Sequence, residues 1–133
     1  MNVAVACVPL TLLITYGVRG PVMLAQAKFP GGYDNHTPRR AQHALTGLAA
    51  RAQGAHENGF EAFMGFAAAV ALAQGAGIAA SPAVTGFAVV HVLARAAYTA
   101  AYVSDWPTVR SMLWFVGFLS TLSIFGHAVA NAA

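Results

Sequence analysis

Residues 51–76, RAQGAHENGFEAFMGFAAAVALAQGA, change character halfway along. Up to Asn58 the stretch is too polar for hydrocarbon; from Gly59 onward it is apolar enough to cross a membrane, with Glu61 just inside the apolar part. A charge at that depth is expensive, and its default reading is a functional site facing the interior of a helix bundle. At about 100° per residue, Arg51, Gly54, Asn58 and Glu61 fall on one narrow helical face, with Gly47 and Gly65 close to it and His56 pointing the other way. At about 1.5 Å per residue, Glu61 lies some 15 Å beyond Arg51 along the axis.

The composition agrees with a membrane setting. Of 133 residues, 58% are hydrophobic and only 8% charged, and mean hydropathy is +0.60. Soluble domains carry roughly a quarter charged residues, so this chain belongs with integral membrane proteins. With about 20 apolar residues per span, the length allows about four helices and no soluble domain besides. The formal charge of +3 comes without any basic run, which excludes nucleic acid as a partner class. Cys7 is the only cysteine, so no intrachain disulfide can form, and it reads as a small apolar residue of the first helix. No His/Cys/Asp spacing suggests a metal site.

Outward from the opening stretch, spans are expected at residues 3–27, 59–80, 83–103 and 108–130, within a single membrane domain covering 1–133. The first is kinked at Pro21 rather than ended there. Turn residues Pro30, Gly31, Gly32, Asp34 and Asn35 follow, and Thr37-Pro38 reads as an N-cap and first-turn proline opening a long second helix that extends beyond its span from about residue 38. Lys28, Arg39 and Arg40 sit in the first link, and Arg110 flanks the third. The positive-inside rule places those links in the cytosol and both termini outside. The fold class expected is therefore all-α, an integral membrane bundle of four transmembrane helices.

This topology gathers the chain's polar oddities at one depth. Arg95 and Tyr102 fall in the inner half of the third span, Arg110 and Ser111 begin the fourth, and even Arg19 lies in the inner half of the first. His91, Arg95, Tyr98 and Tyr102 share a face of the third helix; Arg110, Trp114, Gly117 and Thr121 share one of the fourth. Arg51, Arg95 and Arg110 offer forked donors for carboxylates. Glu61 and Asn58 can receive an ammonium or amide, and Tyr98, Tyr102 and Ser111 supply hydroxyls. The set suits a small zwitterion with more than one carboxylate. An arginine beside a bound thiol would lower its pKa from about 8.5 and favour the nucleophilic thiolate.

The motif AHENGFEAF, preceded by Arg51 and followed by ARAAYTAAY and VRSMLW, resembles the MAPEG superfamily, the membrane-associated proteins of eicosanoid and glutathione metabolism. The match covers nearly the whole chain, and GGYDNHTPR and SDWPTVRS are most similar to a bacterial branch. The resemblance implies a homotrimer of four-helix subunits in the bacterial inner membrane, binding glutathione between neighbouring subunits on the cytosolic side. By motif position, Asn58, Glu61, Arg95, Tyr98 and Tyr102 match glutathione-contacting residues. Arg110 and Ser111 match the place of thiolate stabilisation, and Trp114 replaces an aromatic that is often tyrosine. The pattern departs at Gly54 and Glu57, where enzymatic members often carry arginine, and near Lys28, the nearest cation at the end of the first helix.

The function expected is a glutathione-dependent transferase or peroxidase. It would act on a hydrophobic electrophile arriving from lipid, with Arg110, Ser111 and Tyr102 catalytic and Arg51, Asn58, Glu61, Arg95, Tyr98, Tyr102 and Trp114 binding. The alternative is a non-catalytic protein of the same fold serving as accessory subunit of a larger membrane complex, favoured by Gly54 and Glu57. Residue by residue, simpler roles compete. Glu61 and Arg95 could form a buried ion pair that fixes helix register. Arg39, Arg40 and Arg51 could meet lipid phosphates, and Tyr98, Tyr102 and Trp106 could belong to an interfacial aromatic belt.

Overall fold

The computed structural model describes residues 2–29 and 31–132, and among these every regular element is helical. Pro30, read above as a turn residue, lies outside them. Six helices follow in order: α1 (Val3–Gly17), α2 (Gly20–Ala27), α3 (Pro38–Gln42), α4 (Gly47–Gly75), α5 (Pro82–Val103) and α6 (Pro107–Ala130).

The first span, Val3–Ala27, is interrupted ahead of Pro21 as the kink expected there implies, with Val18 and Arg19 still in right-handed helical conformation. α1 stops at Gly17 and α2 restarts at Gly20. Proline at 21 has no N–H to offer the Gly17 carbonyl and its ring disfavours helical geometry just before it, so the chain turns through Val18 and Arg19, where Arg19 N–H bonds back to the Tyr16 carbonyl at 3.0 Å. The long second helix is also divided. Thr46 is extended and Gly47 takes a φ of +57°, a left-handed value that cannot continue a right-handed helix from α3. Thr37 stands at the N-cap of α3 but makes no capping bond. Its hydroxyl instead donates to Asp34, which also accepts the backbone N–H groups of His36 at 2.8 Å and Thr37 at 3.2 Å. These donors, the Thr37 hydroxyl first, hold the Asp34 carboxyl below its usual range. That support is present at neutral pH and is lost as pH falls through the lowered value.

The remaining ends follow their sequence signals. α4 closes in a Schellman turn, with Gly77 at φ +73° and Ile78 N–H reaching the Ala73 carbonyl at 2.9 Å. α5 opens on Ser81, whose hydroxyl accepts from Val84 N–H at 3.3 Å, with Pro82 behind it. α5 closes in a second Schellman turn, Trp106 N–H to the Ala101 carbonyl at 2.9 Å, with Asp105 at φ +63° where glycine is usual.

Three segments are long and apolar enough to cross a membrane: Val3–Ala27, Pro82–Val103 and Pro107–Ala130. The expected span over 59–80 is not among them. α4 ends at Gly75, and Asn58, Glu61 and Gln74 dilute its apolar run. Large apolar side chains are exposed along these helices, with Leu13 66%, Leu93 64%, Met112 65% and Val129 70% accessible, a surface suited to hydrocarbon rather than water. Hydroxyls of Thr11, Thr15, Ser120, Thr121 and Ser123 all donate to the carbonyl one turn earlier, so none is left unpaired in an apolar medium.

The bundle core is built from small residues. Ala69, Ala73, Ala88 and Ala128 pack with Phe66, Val84 and Ile124 in one cluster, while Val18, Val22, Leu45, Ala49, Ala52 and Ala55 form another between α2 and the start of α4. Where α1 crosses α4, a Cβ on Gly59 would lie 2.8 Å from Thr15 Cγ2 and 2.9 Å from its Oγ1. Thr15 cannot swing aside freely, because its hydroxyl is held by the Thr11 carbonyl at 2.9 Å. Gly59→Ala should therefore destabilise the solubilised protein by about 1–3 kcal/mol through overpacking. Adding Thr15→Ala should recover most of that loss in thermal or denaturant unfolding; a double variant no more stable than the single one would show that this crossing is not the cause.

Candidate functional site

The face of α4 that carries Asn58 and Glu61 looks towards α5 and α6 across two adjoining cavities. One, of about 340 Å³, is polar and lined by Asn58, Tyr98, Tyr102, Arg110, Ser111 and Trp114. The other, of about 250 Å³, has Glu61, His91 and Arg95 on one side and Phe118, Leu122 and Phe125 on the other. Asn58 and Trp114 line both. Eight of the nine residues singled out in the sequence thus converge.

The exception is Arg51. Its Nε donates to the Val103 carbonyl at 3.1 Å and its Nη1 lies 3.6 Å from Asp105 Oδ2. It lines neither cavity and fastens α4 to the turn after α5.

Within the site the cations are met by rings rather than by acids. Arg95 is 3% exposed, and its guanidinium lies 4.0 Å from the centre of the Tyr98 ring. Tyr98 meets Tyr102 edge-to-face at 5.6 Å, and Arg110 sits 4.5 Å over the Tyr102 ring. The result is a ladder of arginine, tyrosine, tyrosine, arginine, each cation on a π face. The ion pair between Glu61 and Arg95 weighed above does not form: among the described residues the one ion pair is that of Arg51 with Asp105. Glu61 is exposed, and its Oε2 accepts the Asn58 amide at 3.0 Å.

That last bond has a consequence for Asn58. A carboxylate only accepts, so the amide nitrogen must face Glu61. Asn58 Oδ1 is then a buried acceptor, and it has no partner. Ser111 Oγ donates to the Pro107 carbonyl at 3.0 Å, so its proton is turned away from the cavity it lines. Trp114 stacks on Phe118 at 5.0 Å and forms the wall between polar and apolar space.

Two positions gain meaning that the sequence did not show. A Cβ on Gly54 would meet the Tyr102 hydroxyl at 2.5 Å and its Cζ at 3.0 Å. Gly54 is the recess in α4 that admits Tyr102, and through the ring it fixes the height of Arg110. His91, on the same stripe as Arg95, has Nδ1 at 3.1 Å from both the Gly117 carbonyl and Thr121 Oγ1, and stacks on Phe66 at 4.0 Å. Through these bonds it ties α5 to α6. Phe118, Leu122 and Phe125 were not singled out, although helical spacing from Trp114 places them on its face and could have found them. His56 faces away from the site as its angle implied, its Nδ1 2.7 Å from the Thr15 carbonyl and its Nε2 3.2 Å from Arg19.

Apolar helices long enough to span, an apolar outer surface and a charged recess among the helices define a multi-pass membrane protein with an internal polar site. The sequence model of the MAPEG family matches residues 3–130, nearly the whole chain, and the protein belongs to that family. No curated protein and no solved structure matches the chain.

The fit of Tyr102 over Gly54 gives a direct test. Gly54→Ala should cost about 1–3 kcal/mol in unfolding of the solubilised protein. Combining it with Tyr102→Phe, which deletes the atom in closest conflict, should show a coupling above about 0.5 kcal/mol. Strict additivity of the two losses would mean that the ring does not occupy the Gly54 recess.

Proposed function

We propose that this protein is a glutathione-dependent transferase or peroxidase that acts on hydrophobic electrophiles reaching it from the bilayer. It would work as a homotrimer of four-span subunits, at the cytosolic side of a bacterial inner membrane with both termini outside. The observation that carries this reading is the junction of a polar cavity with an apolar one at Asn58 and Trp114. A peptide thiol and an oily co-substrate need such paired spaces. Membership of a family that includes glutathione-dependent transferases and peroxidases supports the same conclusion.

The residues present fit glutathione. Arg95 and Arg110 outnumber Glu61 among the charges lining the cavities, which suits a ligand with two carboxylates and one ammonium. The unpartnered Asn58 Oδ1 offers an acceptor for a peptide N–H or the ammonium, and leaving such an acceptor unsatisfied costs about 1–3 kcal/mol. Glutathione supplies the sulfur nucleophile. Arg110 stands at the polar cavity and favours the ionised thiol by its charge. Tyr102, with its hydroxyl over Gly54, presents its ring to Arg110 and acts by holding that guanidinium in place. Ser111 can add a hydrogen bond to the thiolate on releasing the Pro107 carbonyl. Arg95, Tyr98 and Glu61 hold the peptide, and Trp114 keeps it at the entrance to the apolar cavity. Arg51 contributes by securing the end of α5 rather than by touching ligand.

One observation favours the second reading, a non-catalytic subunit of a larger membrane complex. Arg51 is engaged by Asp105, and Gly54 and Glu57 bring no cation to α4.

Isothermal titration of the detergent-solubilised protein with glutathione separates the two. Binding in the millimolar range or tighter is expected, and Arg95→Ala should weaken it at least about tenfold, or about 1.4 kcal/mol. Arg110→Ala should leave binding within a few-fold but slow thiol addition to a halonitroarene by at least about tenfold. Folded protein that shows no heat with millimolar glutathione would overturn the enzyme reading.

A further inference from the structure

On the other flank of Gly54 lies a groove that the glutathione reading does not use. It holds about 380 Å³ between α3 and α4 and is lined by Arg39, Gln42 and His43 on one side and by Gln53, Gly54 and Glu57 on the other. It sits just outside the apolar run of α4, which begins at Gly59, and so at the level where a membrane's head groups meet water.

Two independent features mark it as a place for a ligand carrying both signs of charge. Arg39 and Glu57 both line it, both are exposed, and they do not pair with each other. The second feature is Gln53, only 8% exposed. Its Nε2 donates to Glu57 Oε1 at 2.8 Å and to Gln42 Oε1 at 3.1 Å. Because the Glu57 carboxylate can only accept, the amide cannot be reversed. Gln53 Oε1 is therefore a buried acceptor without a donor. Glu57 and Gln53 thus bring acceptor oxygens to one turn of α4, and an ammonium has three N–H groups to give them. Arg39 and His43, one turn apart along α3 and its C-cap, present N–H donors suited to a tetrahedral oxyanion.

A simple anion meets Glu57 in this groove and a simple cation meets Arg39. A zwitterion with its charges several bonds apart satisfies both helices. We propose that the groove binds a phosphoethanolamine group, its ammonium at Glu57 and Gln53 and its phosphate at Arg39 and His43, supplied by the head group of a phospholipid beside α3. The site is separate from the cavities between α4, α5 and α6, so it stands or falls independently of glutathione binding.

Native mass spectrometry of the full-length protein, released from detergent with added lipid, tests this. Phosphatidylethanolamine should bind about tenfold more tightly than phosphatidylglycerol, equivalent to about 1.4 kcal/mol. Glu57→Gln should abolish that preference while keeping phosphatidylglycerol bound. Arg39→Gln should weaken both lipids at least about threefold, since it removes the phosphate contact. Both changes are on exposed side chains, and the charge state distribution checks that each variant stays folded. Displacement of the lipid by millimolar phosphoethanolamine would assign the groove to a soluble source of the same group; lipid binding that resists it assigns the site to the membrane. Equal affinity of the unaltered protein for the two lipids, or a preference that survives Glu57→Gln, would overturn the proposal.

Discussion

Arg95 sets the terms for the structure around it. It is almost fully buried within a span, where a charge must be met by partners inside the protein, and no carboxylate reaches it. The Tyr98 ring takes that place, and the need for an aromatic face there carries outward to Tyr102 and then to Arg110. Glu61, released from neutralising Arg95, turns to Asn58 and fixes the direction of its amide. The orphaned acceptor that results is the feature that most directly invites a ligand. A cation solved by π faces therefore leaves both an unspent carboxylate and an unspent amide oxygen in the same recess.

Much of this was legible in the sequence. α5 and α6 begin at Pro82 and Pro107, because proline at the first helical position marks both starts and Ser81 caps the first. The helical stripes through Arg95 and Arg110 placed their residues correctly, since angular position on a regular helix follows from spacing alone. The broken elements were harder. Pro21 announces the kink in the first span, but how many residues leave the helical hydrogen-bond pattern depends on whether neighbouring packing replaces the bond lost at Gly17. Gly47 is compatible with a helix until its φ is known, so the division of α3 from α4 could not be read from letters. Likewise, the spacing of Arg51 puts it on the site's face, yet Asp105 claims it from another element, a contact between residues far apart in sequence.

Gly54 shows how a departure from a family pattern can mislead. As a missing arginine it reads as a loss. In three dimensions it is the space that the Tyr102 hydroxyl occupies, so a side chain there and the present position of Tyr102 exclude one another. The site is better described as rebuilt around an inward tyrosine than as stripped of a cation.

The hydrogen bonds between helices are unevenly shared. α4 is tied to the start of α1 through Asn2 and Gln74, to the last turn of that helix through His56, and to the end of α5 through Arg51. α5 and α6 are tied through His91. Among the described residues, none joins α4 to α6. The two cavities lie along that unstitched seam, so separating α4 from α6 there would cost apolar packing and no hydrogen bond between them.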